Sequence, residues 1–288
     1  MTATQNTTLR GIGFMLVAVA LWSPMMLLVK SLSADYTSFQ ILFIRTLVGL
    51  AVLAPMMRRS GFSLLKTSRF PLHLTRGVFA CIGMLGLFIG IGAIPIAEVV
   101  SLSFTQPIFI FLLAAVLLGE KFSAVRVAAV IGGFAGVMII LRPGFTEIGF
   151  GAAMVLGGAL AYACSNVCIK KLMTTDSVTA TTIWVNLIMC PLAGIPAAIY
   201  WVPPTLPDLA LLAGVGITGT AAIWFISRAY ALADMSAVVP FDFLRLPILA
   251  TAGWLWFSET PDIWTFAGAA VIFASTYALA RDEARKRR

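Results

Sequence analysis

The chain has 288 residues, of which 60% are hydrophobic and 11% charged, with a mean hydropathy of +0.98. Soluble domains are about 45–50% apolar and about 25% charged, so a soluble globular fold is excluded and an integral membrane protein is indicated. A net charge of +8 would suit a nucleic-acid binder, but the placement of the basic residues gives that charge another meaning.

In chain order, apolar runs bounded by charge, proline or glycine predict spans at 10–30, 37–57, 74–94, 96–118, 124–141, 149–170, 178–200, 208–231, 235–257 and 263–280. Each is close to the roughly 20 residues a helix needs to cross hydrocarbon. In lipid the backbone must satisfy its own hydrogen bonds, and runs this long without alternation are helices rather than barrel strands. The expected fold class is all-α integral membrane, with ten transmembrane helices and no sizeable soluble domain. Arg10 before an apolar run has the outline of a signal peptide. The run continues nearly to Lys30 without a clean small-x-small site, so it is read as a retained first helix. Cys81, Cys164, Cys168 and Cys190 fall in apolar segments and are read as packing thiols. The single histidine, His73, falls in a polar connection and is expected to be solvated.

Lys and Arg set the orientation. With the N-terminus inside, the cytoplasmic connections and tail hold 16 of the 20 basic residues, and only Lys30 and Arg142 lie outside. The remaining two, Arg45 and Arg245, fall within spans. Both termini are therefore expected in the cytoplasm, with the chain multi-pass in the inner (cytoplasmic) membrane. The tail "RDEARKRR" (281–288) fixes topology and meets anionic lipid headgroups, which leaves nucleic acid no role. The partners expected are a small-molecule substrate and membrane lipids; a homodimer is compatible.

The chain also repeats itself at a shift of 140. Gly11 falls on Gly151, Leu16 on Leu156, Trp22 on Tyr162, Lys30 on Lys170 and Leu32 on Leu172. At the same shift Ala97 falls on Ala237, Val99 on Val239, Pro107 on Pro247 and Ile108 on Ile248. Glu120 and Glu259 fall one residue out of register. Two repeats are expected, 10–141 and 149–280, followed by the basic tail 281–288. Five helices per repeat is an odd number, so the second copy enters from the opposite side. The result is an inverted repeat, as in many secondary transporters.

Several stretches carry a family resemblance: "FIRTLVGLAVLAP" (43–55), "LTRGVFACIGM" (74–84), "IPIAEVVSLSFTQPIFIFLLAAVLLGEKF" (94–122), "GGFAGVMIILRPG" (132–144) and "PFDFLRLPILATAGWLWFSETPDIWTFAGAAVIFAS" (240–275). With the "GE" and "SE" endings that follow Pro107 and Pro247, the chain resembles the EamA-type drug/metabolite transporter superfamily. Within it, the chain is similar to the branch with S-adenosylmethionine and riboflavin uptake carriers and metallophore exporters. The resemblance implies a secondary transporter built from two such repeats.

The candidate functional residues are the polar groups at membrane depth. Asp242 and Arg245 lie three residues apart on one helical face inside an apolar run, and intramembrane charges mark functional sites by default. The alternative is a self-neutralising pair that only orients its helix. Neither has a polar match in the first repeat, where Leu102 and Thr105 stand. Pro107 and Pro247 each remove an N–H and disturb the carbonyl four residues back, so a helix break is expected at Ser103 and at Phe243. Ser103 and Gln106 join Pro107 as polar groups at one level, suited to a ligand or to interhelical hydrogen bonds. Arg45 needs an anion, from Glu98, from Asp242 or from the substrate. Glu98 also suits a helix N-terminus. Trp22 and Tyr162 are expected to face each other across the inverted axis, as packing or as aromatic walls, with Asn166 a turn beyond Tyr162. The Gly86/Gly90 and Gly132/Gly136 pairs allow close helix approach.

No ATP-binding loop, metal cluster or activated nucleophile is visible, so neither an enzyme nor a cofactor or metal is expected. The function expected is alternating-access transport of a small polar or aromatic metabolite. Export of amino acids or drugs and uptake of a vitamin or nucleoside-like metabolite both stay open. The other classes are a membrane-embedded enzyme and a non-transporting scaffold.

Overall fold

The computed structural model describes residues 3–60, 65–118, 124–142, 149–172, 174–232, 241–260 and 262–286. Among them every extended regular element is an α-helix: α1 (Ala3–Leu32), α2 (Ser38–Ser60), α3 (Phe70–Ala93), α4 (Ile96–Ser103), α5 (Gln106–Leu118), α6 (Ala124–Leu141), α7 (Phe150–Leu172), α8 (Val178–Ile199), α9 (Leu206–Leu232), α10 (Arg245–Phe257) and α11 (Ile263–Lys286). Glu120, residues 235–240 and the last two residues of the basic tail lie outside the described residues.

Among the described residues, six helices contain a stretch long and apolar enough to cross a membrane: Leu9–Leu32, Ser38–Pro55, Phe70–Ala93, Phe150–Ile169, Thr179–Ile199 and Leu206–Ile226. Shorter apolar stretches run Ile96–Ile110, Val127–Leu141 and Ile263–Ala278. Large apolar side chains stay exposed around the bundle, among them Ile131 at 64%, Ile195 at 69% and Trp256 at 70%. A soluble protein of this size would bury such a surface, whereas a bundle in lipid has no reason to.

The most extensive helix pairings are α3 with α7, α1 with α9, α6 with α11 and α2 with α8. Each joins a helix before residue 142 to one after residue 149. Two pairings rest on the absence of side chains. A Cβ on Gly86 would come within 2.4 Å of the Met154 carbonyl and 2.9 Å of the Gly158 Cα. A Cβ on Gly268 would come within 2.5 Å of the Gly136 carbonyl. Backbones this close give dispersion contact along the helices, which is the main driving force for packing where lipid cancels the hydrophobic effect.

Polar ties fasten both ends of the bundle. At the end holding Leu32, the Gln40 amide pairs with the Val202 backbone through Nε2 to O at 2.6 Å and N to Oε1 at 3.1 Å, and Tyr36 donates to Asp208 Oδ2 at 2.8 Å. At the opposite end, His73 Nε2 lies 2.9 Å from Asp176 Oδ2, an oxygen that also accepts from the Thr67 hydroxyl at 3.0 Å. His73 is thus not solvated: it sits inside α3 at 1% exposure, beside the Trp184 ring. Its apolar neighbours bury it, and a carboxylate 103 residues away supplies the polar partner.

Gly158→Val should lower the unfolding midpoint in detergent, because overpacking of this kind costs about 1–3 kcal/mol. Gly157→Val, where an added Cβ meets nothing within 4 Å, should leave the midpoint unchanged. Thermal unfolding of the two purified variants checks the contrast.

Candidate functional site

Both expected helix breaks occur, the first two to three residues ahead of Pro107 and the second three to four ahead of Pro247. The first lies at Phe104–Thr105, between α4 and α5; the second at Phe243–Leu244, immediately before α10. The breaks meet: the Phe104 and Phe243 rings stack with centroids 4.0 Å apart at 29°. The loosened backbone is repaired locally. Thr105 N donates to Leu102 O at 3.1 Å and Leu246 N to Phe243 O at 3.0 Å, so both chains tighten into i→i+3 turns. The Phe243 carbonyl is therefore already engaged.

The repairs at the two breaks use different side chains. At the first, Ser103 Oγ donates to Val100 O at 2.7 Å and Thr105 Oγ1 to Leu102 O at 2.7 Å. At the second, Arg245 Nε donates to Asp242 O at 3.3 Å, and Arg245 Nη2 pairs with the Asp242 carboxylate. Arg245 does for the carbonyl three residues back what Thr105 does in the first half. The Asp242 carboxylate neutralises the cation this requires. The pair is not sealed, with Arg245 at 13% and Asp242 at 22% exposure. The guanidinium also lies 5.7 Å from the centroid of the Trp22 ring and 5.4 Å from that of Phe104. The structure thus brings Asp242, Arg245 and Trp22 together at the junction of the breaks.

Arg45, on α2, is 2% exposed, and its Nε and Nη2 have no hydrogen-bond partner among the described residues. Neither carboxylate considered for it is committed to it. Asp242 pairs with Arg245, and half-buried Glu98 in the first turn of α4 lies within electrostatic reach of Arg142 and Asp262. Tyr162 stands within electrostatic reach of Arg45. Among the described residues no ring contact joins Tyr162 to Trp22. The Tyr162 ring instead fills the space above Gly83 of α3, where an added Cβ would lie 2.7 Å from Cδ2. The α3–α7 pairing claims that aromatic for packing. Gln106 and Asn166 are half-buried on α5 and α7.

Other polar features escaped the sequence reading because their partners are distant in the chain. Lys30 Nζ reaches Glu259 Oε1 at 2.7 Å and the Ile94 carbonyl at 2.9 Å, while Glu259 Oε2 accepts from Ile96 N at 2.8 Å. Glu259 therefore caps the N-terminus of α4 from across the bundle, where an anion is favoured. Arg76 is buried and donates to the Thr181 carbonyl. Asn186 and Thr220 are buried around Gly49, one turn beyond Arg45. An open depression of about 530 Å³ lies at the start of α3, lined by Lys66, Thr67, Ser68, Phe70 and Trp184. It is at the end of the bundle, away from the breaks.

The sequence profile of the EamA-like transporter family matches residues 9–142 and 149–281. The chain is 34% identical to the riboflavin transporter of Rhizobium johnstonii, over 97% of this chain and 91% of that protein. It is 31% identical to the S-adenosylmethionine uptake transporter of Rickettsia bellii, over 92% and 91%. It is 28% identical to the pseudopaline exporter CntI of Pseudomonas aeruginosa, over 94% and 96%. One crystal structure superposes with a TM-score of 0.65 at 21% identity, covering 96% of this chain and 98% of that one, which speaks to the fold alone.

Glu259→Gln should lower the thermal unfolding midpoint more than Asp262→Asn. Removing one member of a buried pair strands the other's charge, whereas exposed pairs contribute little. The Lys30–Glu259 side chains are 13% and 14% exposed, against 35% and 41% for Arg142–Asp262. Unfolding curves of the two variants rank the two contacts.

Proposed function

The chain belongs to the EamA-like transporter family and is a multi-pass membrane transporter, and we propose that it is a secondary carrier working by alternating access through two inverted five-helix repeats. In this reading ten helices span the inner membrane, both termini are cytoplasmic, and a proton or substrate gradient supplies the energy. The observation that carries the reading is the meeting of the two helix breaks at Phe104 and Phe243, with an ion pair beside them. Discontinuous helices that meet near the midplane are where such carriers bind substrate. The exchange of packing partners, α1 with α9 and α3 with α7, supports the same reading. A rocking motion of one repeat against the other would work on those interfaces.

The substrate is a small polar or aromatic metabolite held near Trp22, Asp242 and Arg245. The relatives' names include both uptake and export, so the gradient rather than the fold sets the direction. Asp242 is the candidate proton or substrate-charge partner, with Arg245 holding its carboxylate until the substrate or a proton replaces that contact.

Vesicles reconstituted with the purified chain should accumulate radiolabelled riboflavin or S-adenosylmethionine above empty vesicles. Asp242→Asn should reduce the rate at least tenfold when a pH gradient is imposed. Uptake by the variant equal to the parent's would remove Asp242 from the coupling role.

A further inference from the structure

The guanidinium of Arg45 is an arginine fork with nothing in it. Nε–H and Nη2–H form the edge of the group that matches the two oxygens of a carboxylate. Both are buried without a partner. They face the bare backbone of Gly219 on α9, where an added Cβ would lie 3.1 Å from Nε and 3.3 Å from Nη2. A cation held this way at membrane depth is costly unless something compensates it. Among the described residues no carboxylate pairs with it: Asp242 is held by Arg245, Glu259 by Lys30 and the α4 N-terminus, and Glu98 lies within electrostatic reach of Arg142 instead.

A further donor lies nearby, and the acceptors Asn186 Oδ1 and Thr220 Oγ1 line Gly49, a turn away from the fork. Trp22 Nε1 is also buried and unpartnered. Trp22 lies one helical turn before Met25, whose sulfur shares the Gly219 contact with Arg45: a Cβ there would lie 2.8 Å from Met25 Sδ. Asn186 Nδ2 is already spent on the Thr182 carbonyl at 2.9 Å. The wall formed by α1 and α2 thus holds three N–H donor atoms that no described acceptor takes up, with the Tyr162 phenol within electrostatic reach of Arg45 but not bonded to these atoms.

We propose that Arg45 is the anchoring site for a carboxylate carried by the substrate, so that the molecules moved are acids or zwitterions. The proposal rests on the transport reading above and adds the substrate's chemical class to it. Gly219 is the residue that keeps the fork unobstructed. Separation of α2 from α9 during the transport cycle is the motion that admits the carboxylate to it.

The test uses the purified full-length chain in nanodiscs and matched probes: tryptophan with tryptophanamide, methionine with methioninamide, and nicotinate with nicotinamide. At least one acid should raise the unfolding midpoint where its amide does not. Its apparent affinity should fall at least tenfold in Arg45→Met and in Gly219→Ala, the second of which keeps the charge and fills the fork; Arg45→Lys should recover part of it. Without ligand, Arg45→Met should unfold at or above the parent midpoint, because it removes an uncompensated buried charge. A fall in that ligand-free midpoint, equal responses to acid and amide, or no response to any acid would each overturn the proposal. Vesicle uptake of riboflavin by the parent separates the two readings. Uptake without acid preference defeats only the carboxylate site, and acid binding without uptake of any probe defeats only the carrier.

Discussion

A peptide group left without a partner in hydrocarbon costs several kcal/mol, and this constraint governs how the bundle can be interrupted. Pro107 and Pro247 force interruptions, and the two meet through the stacked Phe104 and Phe243 rings, although Leu244 and Pro247 at the second stay exposed. At each, the backbone tightens by one residue per turn and side chains supply the missing donors. The first break uses the hydroxyls of Ser103 and Thr105, which are neutral. The second uses the guanidinium of Arg245, which brings a charge, and Asp242 balances it. The ion pair in the bundle is thus bound up with repairing the helix.

The same constraint shapes the ends of the bundle. Loops there cannot leave polar groups facing lipid, and each half's first connection reaches into the other half. Tyr36 reaches Asp208 near the start of α9, and Asp176 reaches His73 near the start of α3. The two contacts occupy corresponding places with acid and partner exchanged between loop and helix. Lys30 and Glu259 tie the end of α1 to the start of α4 and the residues after α10. All three contacts would have to adjust in a rigid-body rocking of the halves.

Much of the fold was legible because it is local. Span positions follow from hydropathy: most of the described helices start and stop within a few residues of those runs, and six described stretches are long and apolar enough to cross a membrane, where ten were expected. The breaks follow from proline chemistry, and the close approaches at Gly86 and Gly136 follow from glycine's missing side chain. What the sequence hid is the pairing of residues far apart. Helical periodicity says which face a residue occupies but not which helix meets it. His73 read as solvated because its carboxylate is 103 residues away. Tyr162 read as a counterpart of Trp22 because the repeat aligns them, but the glycine stripe of α3 draws its ring into packing. Arg45 was visible as a charge needing an anion; only the pairing of Asp242 with Arg245 and the placement of Glu98 near Arg142 exposed its lack of a described one.

The exchange of partners between the halves has a consequence for how the protein is made. Helix α1 packs on α9, and α3 on α7, so neither of the first helices finds its main neighbour until much later in synthesis. At roughly 5–20 residues per second, α1 waits on the order of ten to forty seconds between its own emergence and that of α9. Arg45 lacks α9 for about as long, and the glycine face of α3 waits roughly 4 to 16 s for α7. The first half of the chain therefore needs shelter from the insertion machinery, or a temporary arrangement of its own, before the second half arrives to complete it.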